Sequence, residues 1–271
     1  MKKHIVAGLK TLLFQVGLIL FLACSLVMLW AAGGSGGEPK PRVTNSLGMT
    51  FAYVPPGTFK MGSPTEERGR FDDETRHRVT LTKGFYLQTT EVTQGQWTRV
   101  MGDNPSNFDQ CGSDCPVESV SWNDVQDFIQ KINKMEGEDR YRLPTESEWE
   151  YACRAGSKLG YCFDSKEHDL QEYAWFDMNS EPHTHPVGQK TANRWGLFDM
   201  HGNVWEWCQD HYRSYPDEPV IDPPAAVGGT GRIRRGGGWK NGPRDLRCAN
   251  RGRSTPEEES DAWGFRLVLI P

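Results

Sequence analysis

Between Gly196 and Trp207 the chain reads Gly-Leu-Phe-Asp-Met-His-Gly-Asn-Val-Trp-Glu-Trp, a short stretch holding several residues suited to a metal. Asp199, Asn203 and Glu206 offer side-chain oxygens, and Gly202 leaves room for backbone carbonyls to approach. A hard cation such as calcium takes about six to eight oxygen ligands of this kind. Trp205 and Trp207 alternate with Glu206. Composition alone therefore also suggests a core strand with the indoles inside and Glu206 in solvent.

Histidine and cysteine supply the other candidate chemistry. His183, His185, His201 and His211 are able to gather around a metal, although histidines in loops are more often solvated or hydrogen-bonded. Beyond an apolar leader lie Cys111, Cys115, Cys153, Cys162, Cys208 and Cys248. An even number in an exported domain favours disulfides over thiol chemistry. Cys111 and Cys115 enclose a tight loop containing Gly112, in which the two thiols can meet, so a bridge is expected there. Cys162 and Cys208 are left open, because nothing in the sequence requires them to pair.

The elements that position these residues are short. Met49–Val54 and Thr58–Gly62 read as two strands around Pro55-Pro56-Gly57. Arg78–Thr82 and Phe85–Thr90 read as a strand pair joined at Lys83-Gly84. Thr93 is placed to cap a helix over Gln94–Met101, and Ser121 a helix running to Met135. In the second helix Val125, Phe128, Ile129 and Ile132 form an amphipathic stripe. Thr145 and Glu148 form a capping box for a helix through Trp149 and Cys153 that stops at Gly156. A last strand covers Phe265–Ile270.

Composition agrees with such a body. The chain of 271 residues has 29 Gly, 17 Pro and 10 Trp, so much of the backbone is irregular and indoles supply core. A net charge of −5 without a basic block excludes nucleic acid as a partner. Lys2, Lys3 and Lys10 precede an apolar run from Leu12 to Ala32, long enough to span a bilayer. Residues 1–33 are read as a signal anchor or signal peptide, 34–42 as a linker and 43–271 as the folded domain. The positive flank predicts export, to the periplasm or cell surface, with the N-terminal segment engaging the membrane.

Several motifs occur in an order that resembles the formylglycine-generating enzyme family, also called sulfatase-modifying factors. They are Asn104-Pro105-Ser106-Asn107-Phe108, Pro116–Trp122, Tyr141–Glu146, Gly202–Trp207, Arg235–Trp239 and Gly264-Phe265-Arg266. The resemblance covers residues 46 to 271 and implies an α+β, loop-rich fold of the C-type-lectin-like kind, with short strands and a few short helices. It also implies structural calcium held by the side chains of Asp199 and Glu206 and the carbonyls of Gly202 and Val204. A disulfide between Cys153 and Cys248 is carried over in the same way.

The oxidases of that family use two cysteines after a Gly-Gly-Ser-Trp-like motif to bind copper and exchange with a substrate thiol. Here the corresponding segment, Trp239–Arg247, contains no cysteine. Neither an amide nor a carboxylate replaces a thiolate in holding copper(I) or in thiol exchange. Copper and formylglycine synthesis are therefore not expected. The expectation is a non-catalytic binding module for a protein, peptide or glycan. Trp239, Asn241, Arg244, Arg247 and Arg251 are the candidate ligand-binding residues, within a local basic patch that suits an anionic ligand. The alternative is an oxidoreductase of the formylglycine-generating or siderophore-maturation type that acts without the cysteine pair.

Overall fold

A computed structural model describes residues 41–163 and 169–270; the expected leader and most of the linker lie outside them. The first strands are β1 (Arg42–Thr44), β2 (Thr50–Val54), β3 (Gly57–Met61), β4 (His77–Leu81) and β5 (Phe85–Gln88). β4 and β5 do not pair with each other as the sequence suggested. Their pairing is nested: β3 pairs antiparallel with β4, and β2 with β5. The reason lies in the two connections. Pro55-Pro56 has no N–H to offer a ladder. At Gly84, where the chain passes from one sheet to the other, a side chain would meet the Tyr53 hydroxyl at 2.2 Å, so glycine is required.

Two helices follow, α1 (Gln94–Met101) and α2 (Trp122–Glu136), then β6 (Tyr141–Arg142) and α3 (Glu146–Arg154). Each helix begins with a capping box, at Thr93 with Gln96, Ser121 with Asp124 and Thr145 with Glu148. Such a cap contributes about 1 kcal/mol by satisfying first-turn N–H groups. The apolar stripe of α2 is buried, and Phe128 stacks on Trp97 at 5.2 Å between ring centres. α3 ends at Ala155 in the left-handed region, one residue before the glycine expected to stop it.

The second half contributes α4 (Leu170–Tyr173), β7 (Trp205–His211), β8 (Val220–Ile221), β9 (Arg232–Arg235), β10 (Gly252–Ser254), β11 (Trp263–Gly264) and β12 (Val268–Leu269). Three sheets result, ordered β1-β2-β5-β12-β6, β10-β9-β7-β11 and β3-β4-β8. The expected strand over 265–270 is cut to Val268–Leu269. Residues before it still bond to neighbours, since Val92 N–H donates to Phe265 O and Gln88 N–H to Leu267 O. The Arg266 side chain, however, points into the interior and is fully buried. Cys111 and Cys115 form the expected disulfide.

Candidate functional site

The stretch leading into β7 has a backbone that few residues can adopt. Asp199 and Asn203 have φ of 55° and 57°, and Gly202 has φ of 97°. A side chain at position 202 would meet Trp175 O at 2.1 Å, so only glycine fits the bridge between Trp175 and Gly202. From Trp205 the chain becomes strand β7, with Glu206 opposite Arg235 of β9 and Gly264 of β11.

Glu206 is neither in solvent nor a free ligand. It is completely buried, and both its oxygens are bonded. Arg266 donates from Nε to Oε2 at 2.7 Å and from Nη2 to Oε1 at 2.6 Å, a bidentate pair. The Trp149 indole of α3 donates to Oε2 at 2.7 Å. Asn203 also differs from expectation: its Oδ1 accepts from His185 N–H and its Nδ2 donates to His185 O, which braces a loop.

The oxygens that no cation holds lie next door. Asp199 Oδ2 accepts from Gly188 N–H at 2.6 Å, while Oδ1 is buried. Glu91, just after β5, is wholly buried, and the one partner its carboxyl meets is that of Asp199, with which it shares a hydrogen bond. Burial and the Asp199 charge push the Glu91 carboxyl well above its usual range. Burial likewise pushes Asp199 up to about 6. Three carboxylates thus surround the single guanidinium of Arg266. A buried excess of negative charge demands a proton or a cation. The Asp199 and Glu91 oxygens are a hard donor set held by no cation, whereas both oxygens of Glu206 are already bonded. Glu91 was missed in the sequence because a lone Glu before Val92 and Thr93 carries no motif of its own.

The C-terminal candidates divide. Arg247 is buried and paired with Glu74 at 2.7 Å and Glu67 at 2.8 Å. The Arg251 guanidinium is buried too, forked onto Glu146 at 2.7 and 3.0 Å and lying over Tyr215. Neither guanidinium is free for a ligand, since each is held by buried carboxylates. Asn241 accepts from Trp205 Nε1 and Gly238 N–H and donates to Asp245, so its amide closes a turn. Trp239 is half-buried, with its indole N–H on Asp261 O. Arg244 is exposed, donates to Gly69 O and stacks on Phe71.

The histidines do not converge. His183 and His185 are neighbours at 4.4 Å, but His185 stacks on Trp175 and bonds to Ser180 O. His201 turns instead towards sulfur. Its Nε2 lies 3.9 Å from Cys153 Sγ, and the ligand atoms of Cys153, His201 and Cys248 are all within 4.8 Å of one another. The expected Cys153–Cys248 neighbours are thus together, but as buried free thiols with an imidazole beside them. Cys162 and Cys208 are buried free thiols as well.

A cleft of about 420 Å³ opens on the outer side of β3 and β4. Phe59, Tyr151 and Trp195 give it an aromatic wall, with rings 4.8–5.1 Å apart. Lys60, Arg76, Arg78 and Lys158 line it with positive charge. Lys60 and Arg78 are direct cross-strand partners. Among the described residues none of these four cations forms an ion pair. Sequence reasoning missed this group. The signal was the alternation of Arg76 and Arg78 about a buried His77, on a strand whose partner carries Lys60.

Taken together, the short strands, three capped helices and buried arginine–carboxylate pairs define a loop-rich α+β domain of the C-type-lectin-like kind. The family described as Sulfatase-modifying factor enzyme 1-like domain matches residues 37–270, and the chain belongs to that family. It is 33% identical to the Chaperone protein LppX of Paenibacillus barcinonensis, over 70% of this chain and 81% of the relative. It is 32% identical to the Formylglycine-generating enzyme of Streptomyces coelicolor, covering 88% and 93% of the two chains. With the Serine/threonine-protein kinase Pkn1 of Chlamydia trachomatis it shares 31% identity, over 85% of this chain but 39% of that protein's length. Among solved structures, Treponema denticola variable protein 1 superposes with a TM-score of 0.79 at 28% identity, covering 86% of this chain and all of that one.

Proposed function

We propose that this chain is a non-catalytic binding domain that takes an anionic ligand, an acidic peptide or glycan, in the cleft on β3 and β4. The observation that carries the reading is the facing pair Lys60 and Arg78, flanked by Arg76 and Lys158 beside an aromatic wall. Like charges directly opposite on an antiparallel pair destabilise it, and a bound anion offsets that repulsion. A few polar groups around an apolar wall also suit a small-molecule or side-chain site. This moves the ligand away from Arg247 and Arg251, whose guanidinium groups are held by buried carboxylates.

The absence of oxidase chemistry belongs to the same reading. Trp239–Arg247 has no sulfur, and Asn241 within it closes a turn with its amide. Calcium is proposed as a structural ion held by Asp199 and Glu91, where it would supply positive charge to an acidic interior. We further propose export and tethering through residues 1–33, so that the domain works outside the membrane.

Binding of an acidic peptide and an acidic oligosaccharide, each against its neutral counterpart, tests the ligand class. Arg78→Glu is expected to abolish binding of the acidic probe while stabilising the β3–β4 pair by about 0.2–1 kcal/mol. Equal affinity for charged and neutral probes sinks the cleft. Conversion of a Cys-x-Pro-x-Arg peptide thiol to an aldehyde by the copper-supplied protein sinks the non-catalytic reading.

A further inference from the structure

The thiol cluster is not absorbed by this function, and its geometry carries an inference of its own. Cys153 comes from α3, His201 from the turn before β7, and Cys248 from the loop before β10. Cys248 N–H donates to Gly160 O at 2.7 Å, bringing the loop with Cys162 alongside. All four residues are at most 4% exposed. His201 Nδ1 lies 2.7 Å from Leu246 O, a carbonyl that can only accept. Nδ1 therefore holds the ring proton, and Nε2 carries the lone pair, with Cys153 Sγ 3.9 Å from it. A backbone carbonyl on the far nitrogen is the usual partner of a metal-ligating imidazole. Cys162 lies alongside, its N–H donating to Nε2 at 3.2 Å.

We infer that Cys153, Cys162, His201 and Cys248 form a four-ligand site for a zinc ion. Three thiolates and one imidazole are a closed structural donor set for zinc. Zinc–sulfur bonds of about 2.3 Å in a tetrahedron place the donor atoms about 3.8 Å apart. Cys153 Sγ and His201 Nε2 already stand at 3.9 Å, and the three mutually close ligands lie within 4.8 Å. For these three a contraction of about 1 Å is enough, while the Cys162 thiol has to swing in from outside the group as its N–H bond to Nε2 is released. The rival is a Cys153–Cys248 bridge, which needs a sulfur–sulfur distance of about 2.05 Å. A bridge uses two of the four groups and leaves the third buried thiol without a role. Zinc uses all four, and ties α3, the turn before β7 and the loop before β10 at one point.

The test is metal analysis and cobalt substitution on the full chain, purified without chelator. The expected result is about one zinc per chain, replaceable by Co²⁺ with the sulfur-to-metal charge-transfer and intense visible bands of a tetrahedral thiolate site. Cys162→Ser and His201→Gln should each weaken metal binding about tenfold or more and change those bands. Both variants leave Cys153 and Cys248 in place, so a bridge, if that were the true state, would survive in them. Unreduced protein with Cys153 linked to Cys248, or cobalt bands unaltered by Cys162→Ser and His201→Gln, overturns the site. So does purified protein that takes up neither metal.

Discussion

Asp199 and Glu206 turn into a cluster of oxygen donors and guanidinium with Glu91 and Arg266, whereas His201, between them in sequence, turns into a cluster of sulfur. The two clusters share one stretch of backbone and lean on the same helix. From α3, Trp149 donates to Glu206 on one side, and Cys153 approaches His201 on the other. What separates them is the backbone. A regular strand would put positions 199, 201 and 203 on one face. Left-handed conformations at Asp199, Gly202 and Asn203 break that alternation and send neighbouring side chains into different surroundings. Hard and soft donors are thereby kept apart within a few residues, and each cluster has its own expected ion.

Breaking the oxygen-rich side should have the largest effect. Arg266→Leu leaves the buried Glu206 without its guanidinium partner, and removal of one partner of a buried pair costs about 3–5 kcal/mol. Chemical denaturation of the purified domain measures it, and a loss under about 1 kcal/mol would mean that the pair is replaceable by apolar packing. Cobalt bands of the thiol cluster should persist in whatever fraction stays folded.

Calcium comes next. Ligand at a hundred times its Kd adds about 2.7 kcal/mol to the folded state. Calcium should raise Tm, a calcium chelator should lower it, and Glu91→Gln should remove most of the response. A wild-type response in Glu91→Gln would return the ion to Glu206 and its flanking carbonyls. Calcium should also leave the cobalt spectrum unchanged, since the two clusters take different donors.

A smaller effect is a slope with pH in calcium-free protein. Burial holds the Asp199 carboxyl up at about 6, from 3.8 when unperturbed. A raised carboxyl pKa stabilises the fold below the unfolded value, and this contribution is lost as pH rises through the folded one. Tm should therefore fall between pH of about 4 and 6 without calcium, and saturating calcium should flatten or reverse the trend. Asp199→Asn in calcium-free protein should show a reduced slope. Smallest is Thr145→Ala, which removes the cap of α3 at about 1 kcal/mol. Because both clusters lean on α3, that change should weaken calcium response and cobalt binding together, whereas Arg266→Leu should affect the first alone.

Much of the scaffold was legible in the sequence because its signals are local. Thr93, Ser121 and Thr145 sit at their helix N-termini, and the bridge across Cys111–Cys115 needs only a short loop. The site was less legible. Gly202 was marked as a point where backbone carbonyls approach, and the carbonyl that does so is that of Trp175, far away in the sequence. Arg247 and Arg251 looked like a surface patch because their partners are distant: Glu74 is 173 residues away and Glu146 is 105. The nested pairing of β2 to β5 was hidden for a similar reason. Each strand reads alike by period, and only the passages between sheets at Pro55-Pro56 and Gly84 choose the partner.

By itself the sequence determined the family, the capped helices and the lack of sulfur in Trp239–Arg247, since these depend on residue identity and on neighbours within one helical turn. Tertiary structure alone decided that Glu206 belongs to Arg266, 60 residues later, that Glu91 meets Asp199, and that His201 faces thiols rather than other histidines. A buried charge or lone pair takes whatever complement the fold delivers, and in this chain long loops and three separate sheets deliver it.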